Sequence, residues 1–260
     1  VIEKIPLTTP NGQRTLRHVL ALIRARSRVS CRLAVSEGEP PMRRVIILLP
    51  NPDLLQLANC HKYVTRLGDN KYSHIYTFTT SAGACGDVEK ILMIGHGKVG
   101  GFEEATVDEV ANAIIASGMP LTGHGKIAFD TCYAGSHGEL GDLASALHLV
   151  RVRLKKHNFD CNVELTGATG PSVTIGGDKR LVVDPAKLQH AGGLQGQMMK
   201  KHGVNFFAHR PDWNEGASSA TIAGWAQQEH ANLDAFAKDF RSVLGPDLDT
   251  GTGRKVTIEA

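Results

Sequence analysis

Short aliphatic runs punctuate the chain at Val45–Leu49, Ile75–Phe78, Ile91–Ile94, Ile127–Phe129 and Val163–Leu165. Runs this short and this apolar fit strands buried on both faces, as in a parallel sheet. Between them the period lengthens. Thr106 and Glu109 have capping-box spacing, Val110, Ala111, Ile114 and Ile115 supply one apolar helix face, and Gly118 and Pro120 stop it. A second helix is predicted from about Glu139 to Lys155-Lys156, with Leu140, Leu143, Ala144, Leu147 and Leu154 on one side. Strands alternating with helices imply βαβ crossovers. Ser172–Ile175 and Arg180–Val183 flank Gly176-Gly177-Asp178-Lys179 and predict a β-hairpin.

The pattern divides the chain into three parts. Residues 1–42 read as an N-terminal arm, with Leu16, Val19, Leu20 and Ile23 at helical spacing before the breaker cluster Glu37-Gly38-Glu39-Pro40-Pro41. Residues 43–185 hold the sheet. Residues 186–260 read as a mainly helical extension, marked by Ile222, Trp225, Ala226, Leu233, Phe236, Phe240 and Val243. The expected fold class is α/β: a mostly parallel sheet flanked by helices, with a late hairpin and a C-terminal helical extension.

Composition narrows the function classes. A hydrophobic content of 42% with 21% charged residues is that of a globular protein. No apolar run approaches the ~18 residues of a membrane span, and the first residues hold no signal-peptide core. A net charge of +3 and 5% aromatics give little to recognise nucleic acid with. Cys31, Cys60, Cys85, Cys132 and Cys161 are odd in number and form no CxxC pair, which argues against a disulfide framework or a structural zinc site. No metal is expected, and a reducing compartment is the simpler reading.

Two segments carry chemistry. Ile91–Ile94 leads into Gly95-His96-Gly97, and Ile127–Phe129 leads into Asp130-Thr131-Cys132. One helix joins them, so they are expected as neighbouring parallel strands whose C-terminal ends share the sheet edge where ligands bind. There an imidazole beside a thiol raises its thiolate fraction and can protonate a departing amine. The backbone N–H groups of Gly97 and Cys132 are the candidate oxyanion hole. Asp53, after the first strand, is a candidate third member to orient His96. The plain alternative is a buried strand-end cysteine and a surface histidine.

An aliphatic strand ending in His-Gly, a helix, and a second strand ending in Asp-x-Cys resemble the clan CD (caspase-like) cysteine peptidases. Gly95-His96-Gly97, Gly100-Gly101-Phe102, Asp108-Glu109-Val110-Ala111 and the late hairpin fall in an order similar to the autoprocessing protease domains of bacterial toxins. Asp130, two residues before the cysteine, is more like clostripain and separase. The resemblance covers roughly residues 44–184. It implies a caspase-like peptidase domain with Cys132 as nucleophile and His96 as catalytic histidine, acting on a protein or peptide, or on its own parent chain. It also implies a reducing cytosol, or a secreted effector or toxin fragment acting in a host cytosol. No cofactor is required. Inositol hexakisphosphate, which activates the toxin domains, would need a basic surface such as Arg151, Arg153, Lys155, Lys156, Lys179 and Arg180; the competing reading is a solvated helix end favoured by its dipole.

For specificity, Asp130 shares a strand face with the nucleophile and could pair with Arg or Lys before the scissile bond, or only cap the following turn. The toxin domains suggest Leu there instead. Thr166, Gly167 and Ala168, expected after the next strand, would form another wall of the pocket. Two other function classes compete: a non-catalytic peptide-binding pseudo-peptidase, and a dinucleotide-binding oxidoreductase, since Gly95-His96-Gly97-Lys98-Val99-Gly100 matches GxGxxG after a strand. The capping box starts the next helix near Val107, several residues later than that fingerprint needs.

Overall fold

The computed structural model describes residues 43–66, 68, 71–120, 125–136, 144–157, 163–170, 172–174, 180–182, 188–244 and 255–258. The arm at 1–42, the hairpin turn at 176–179, and Leu140 and Leu143 lie outside the described residues.

Six strands form the main sheet: β1 (Arg43–Leu48), β2 (His74–Tyr76), β3 (Val88–Ile94), β6 (Lys126–Asp130), β7 (Glu164–Ala168) and β10 (Lys255–Ile258). Their order is β10-β7-β6-β3-β1-β2. The β1–β2, β1–β3, β3–β6 and β6–β7 pairs are parallel, and β10 runs antiparallel to β7. The expected α/β class with a mostly parallel sheet is therefore present. Two ribbons accompany it: β4 (Gly97–Lys98) with β5 (Gly101–Phe102), and β8 (Ser172–Thr174) with β9 (Arg180–Val182).

Helices cover both faces because the central strands are apolar on both. Val45, Ile47, Ile91, Met93, Ile127 and Phe129 point to one side, where they meet Val110 and Ile114 of α2 (Val107–Ala116) and Leu147 and Val150 of α3 (Ala146–Lys156). Ile46, Leu48, Leu92 and Ile94 point to the other, against Leu57 and Cys60 of α1 (Leu54–Thr65) and Ile222 and Ala226 of α5 (Ser219–Leu244). A third cluster joins Ala58 of α1, Met198 of α4 (Leu188–His202), Phe206, and Leu233, Phe236 and Phe240 of α5.

Three local readings differ from the structure. Helix α1 was not foreseen, although Asp53 and Gln56 form its capping box. Helix α3 starts at Ala146 rather than near Glu139, because Ser145 in extended geometry accepts the His148 N–H and acts as N-cap. Residues 188–258 also give the sheet a strand, β10, and Met42–Ala260 forms one compact unit. Among the described residues no helix is long and apolar enough to cross a membrane.

Candidate active site

The β3–β6 register pairs Ile94 with Asp130. His96 and Cys132 each lie two residues further, so the C-terminal ends of adjacent parallel strands deliver them to one sheet edge, as expected. The two glycines around the histidine have separate steric reasons. A Cβ at Gly95 would come within 2.7 Å of the Leu49 Cβ, which packs over it. A Cβ at Gly97 would overlap the carbonyl oxygen of Cys132. The backbone after His96 therefore lies directly against the backbone of the cysteine, and only glycine allows that approach.

His96 is fixed through its ring. Its Nε2 lies 2.7 Å from Asp53 Oδ2. Since a carboxylate oxygen accepts, Nε2 carries the proton and Nδ1 is the ring nitrogen that Asp53 does not hold. Asp53 is 1% exposed, whereas the His96 side chain is 32% exposed, so the orienting acid is buried and the imidazole reaches solvent. The Asp53 hydrogen bond, assisted by Asp53, Glu104 and Glu103 charges and opposed by burial, raises the His96 pKa above the ordinary histidine value.

Asp53 owes its position to the start of α1. As N-cap it accepts the Gln56 N–H on Oδ1 at 2.8 Å, and Gln56 Oε1 accepts the Asp53 N–H at 2.9 Å. The next two exposed donors of this helix end, Leu54 N–H and Leu55 N–H, donate to Ala208 and Phe206 carbonyls, each at 3.0 Å. The carboxylate keeps Oδ2 for the imidazole.

The β4–β5 ribbon returns the chain beneath His96. Its turn needs Gly100 at φ +76°, in the left-handed region. Glu103 N–H then donates to the His96 carbonyl at 3.3 Å, and His96 N–H donates to both Glu104 carboxylate oxygens at 3.2 and 3.1 Å. The GxGxxG glycines thus build a β-ribbon, not the strand-to-helix turn of a dinucleotide site. Burial pushes the Glu104 carboxyl pKa up. Asp53, His96, Glu103, Glu104, Phe207 and His209 line a cavity of about 650 Å³ at this edge.

Cys132 is half-buried at the start of a turn tied to the loop after β7. Tyr133 N–H donates to Gly170 carbonyl at 3.1 Å, Gly135 N–H donates to Ala168 carbonyl at 2.8 Å, and the Ser136 hydroxyl donates to the Thr169 carbonyl. Tyr133, just past the thiol, holds φ +55°, an uncommon conformation for a residue with a Cβ and a frequent mark of functional sites.

The remaining candidates are placed differently. Asp130 is 7% exposed and accepts the Tyr63 hydroxyl of α1 on Oδ2 at 2.7 Å. Thr166, Gly167 and Ala168 do not follow the strand but form its end: Thr166 and Ala168 are buried, and a Cβ on Gly167 would lie 2.8 Å from Ala134 Cβ. Strand β10 covers their other edge, pairing Thr166, Gly167 and Ala168 with Thr257, Val256 and Lys255. The close backbone approach there serves packing, and the loop positions facing the cysteine turn are Thr169 and Gly170. Of the basic residues, Arg153 pairs with Asp108 at 2.6 Å, and Lys179 lies outside the described residues. Among the described residues Cys60, Cys85 and Cys132 are in no disulfide, and no group of three or more His, Cys, Asp or Glu could hold a metal ion.

Gln56 and Glu104 had not been singled out from the sequence. Gln56 was readable as the fourth position of Asp53-Leu54-Leu55-Gln56, a capping-box spacing. Glu104 carried no such signal, because its role depends on how the ribbon folds back. Comparison with known proteins finds no matching family model, curated protein or solved structure.

Proposed function

We propose that this chain is a cysteine endopeptidase of the caspase-like kind, hydrolysing peptide bonds through a thioester at Cys132. The observation that carries the reading is His96, oriented by buried Asp53, just past the end of β3, with Cys132 just past the end of the adjacent β6 and Gly97 lying against the Cys132 backbone. In the forward step the thiol proton passes to His96 Nδ1 and the thiolate attacks the scissile carbonyl carbon. The Gly97 and Cys132 N–H groups are assigned to the oxyanion. Collapse breaks the C–N bond, and the imidazolium gives its proton to the departing amine. Water, deprotonated by the same nitrogen, then attacks the thioester and releases acid and thiol. The substrate is a protein, a peptide or the parent chain.

Cleavage after Arg or Lys belongs to the proposal, with Asp130 as the carboxylate; its burial against Tyr63 means that an arriving cation must displace or share that hydroxyl. The loss of basic preference in Asp130→Ala is the check on this part.

The deciding experiment treats the protein with a peptidyl chloromethyl ketone, maps the label, and maps cuts in a peptide library by mass spectrometry. Label is expected on Cys132, with cleavage lost at least about 10³-fold in both Cys132→Ala and His96→Ala. Burial raises the pKa of Cys60 and Cys85, so both should stay unlabelled. Label on either of them, or full activity in either mutant, would sink the assignment. A folded protein that binds peptides without cutting them is the pseudo-peptidase outcome.

A further inference from the structure

The hydrogen bonds around His96 close into a ring. Asp53 Oδ2 holds the imidazole, Asp53 Oδ1 and backbone exchange bonds with Gln56, Gln56 Nε2 donates to Glu104 Oε1 at 3.4 Å, and Glu104 accepts the His96 N–H. Gln56 is buried at 4% exposure, so its amide has few alternative partners. Glu104 Oε1 also stands 3.9 Å from His96 Nε2, placing a second carboxylate beside the protonated nitrogen. Neither Gln56 nor Glu104 is needed as an acid or base in the chemistry above. Both touch what orients the base.

We propose that Glu104 is a positioning residue for His96, clamping the histidine main chain on one side and, through the Gln56 amide, the Asp53 cap on the other. The inference rests on the peptidase reading only for its kinetic consequence; the clamp itself is a statement about His96. Other titratable groups that line the same cavity are Asp53 at the cap of α1, Glu103 after β5 and His209 between α4 and α5. Glu104 differs from them in holding the histidine backbone with both carboxylate oxygens. Its charge also favours the imidazolium, in the same direction as Asp53.

Two variants separate the clamp from the charge. Glu104→Gln keeps an acceptor oxygen and removes the charge, whereas Glu104→Ala removes both. In the full chain with isotopically labelled histidine, the NMR titration midpoint of His96 is expected to fall in both variants. His61, which faces His230 at a ring separation of 4.9 Å and does not line the cavity, should titrate unchanged. On a cleaved peptide, Glu104→Ala should lower kcat by roughly 10- to 100-fold, as a misplaced base does, with KM moved less than about twofold. Glu104→Gln should recover most of that kcat while shifting the acidic limb of the pH profile to lower pH. If Glu104→Ala does not fold, Glu104→Met, which keeps the side-chain length and removes both acceptor oxygens, takes its place. An unchanged His96 midpoint in the folded variants overturns the proposal. A shifted midpoint in a protein that cuts no peptide leaves the clamp standing and overturns the peptidase reading instead.

Discussion

His96 and Cys132 end neighbouring strands, yet they are held by opposite means. The histidine is fixed by side chains: Asp53 on its ring, Glu104 on its backbone, and Gln56 between them. The cysteine is fixed by main chain, through Tyr133–Gly170 and Gly135–Ala168 hydrogen bonds and a left-handed Tyr133. The two arms meet at Gly97, where the absence of a side chain lets the backbones touch. This difference predicts how each arm fails. The histidine arm should respond to polar substitutions that leave the fold intact, and the cysteine arm to steric change.

The sharpest break is Asp53→Asn. The carboxamide retains an oxygen for the Gln56 N–H, so the helix cap survives, but the charge facing His96 is gone. Cleavage should fall by roughly 10²- to 10³-fold with little loss of helix content. The same variant carries a pH signature in stability. Because the folded His96 pKa lies above its unfolded value, mainly through the Asp53 hydrogen bond, the interaction stabilises fully below about pH 6.5 and is lost as pH rises through the folded pKa. The stability gap between wild type and Asp53→Asn, followed by chemical denaturation from about pH 5 upward, should therefore be widest at the acid end. A gap that widens with rising pH would contradict the Asp53–His96 assignment.

Gly97→Ala probes the other arm. The added methyl must displace the Cys132 carbonyl, which belongs to a tied turn and cannot simply rotate away. If Cys132 is the proposed nucleophile, shifting it by about an ångström should cost roughly 10²-fold in kcat. His96 NMR titration should change far less than in Asp53→Asn. Equal disturbance of both readouts would mean the two arms are one unit.

Tyr63→Phe has the smallest expected effect. It removes one donor from the buried Asp130 carboxylate and should cost about 1.5–3 kcal/mol of stability, with activity altered only a few-fold. A larger fall in rate than in Asp53→Asn would place Tyr63, and the α1 face behind β6, inside the catalytic machinery.

How much of this could be read from the sequence depends on how local each signal was. The buried strands were legible because continuous aliphatic runs such as Ile91–Ile94 need cover on both faces. Their shared edge followed from one intervening helix. Helix α1 is less legible although its capping box stands in plain sequence, because its buried positions include polar Gln56, Asn59 and Lys62, which blur the apolar period. Thr166–Ala168 were misplaced by three residues, since small residues after Leu165 resemble a loop until β10 is seen pairing with them. That strand is separated from β7 by more than 80 residues, so no local pattern announces the pairing. Glu104 shows the same limit at shorter range: its carboxylate meets His96 only because Gly100 turns the ribbon.

The bonds from Leu54 and Leu55 to Ala208 and Phe206 also set a timetable. During synthesis the strands bearing His96 and Cys132 leave the ribosome well before residue 208 does. Until then the start of α1 lacks two of its acceptors, and Asp53 is without the segment that frames it. The Asp53 arm that holds His96 can therefore be completed only after the parallel strands β1, β2, β3, β6 and β7 have left the ribosome. If the proposed peptidase reading holds, that order delays a competent site until most of the chain has been made.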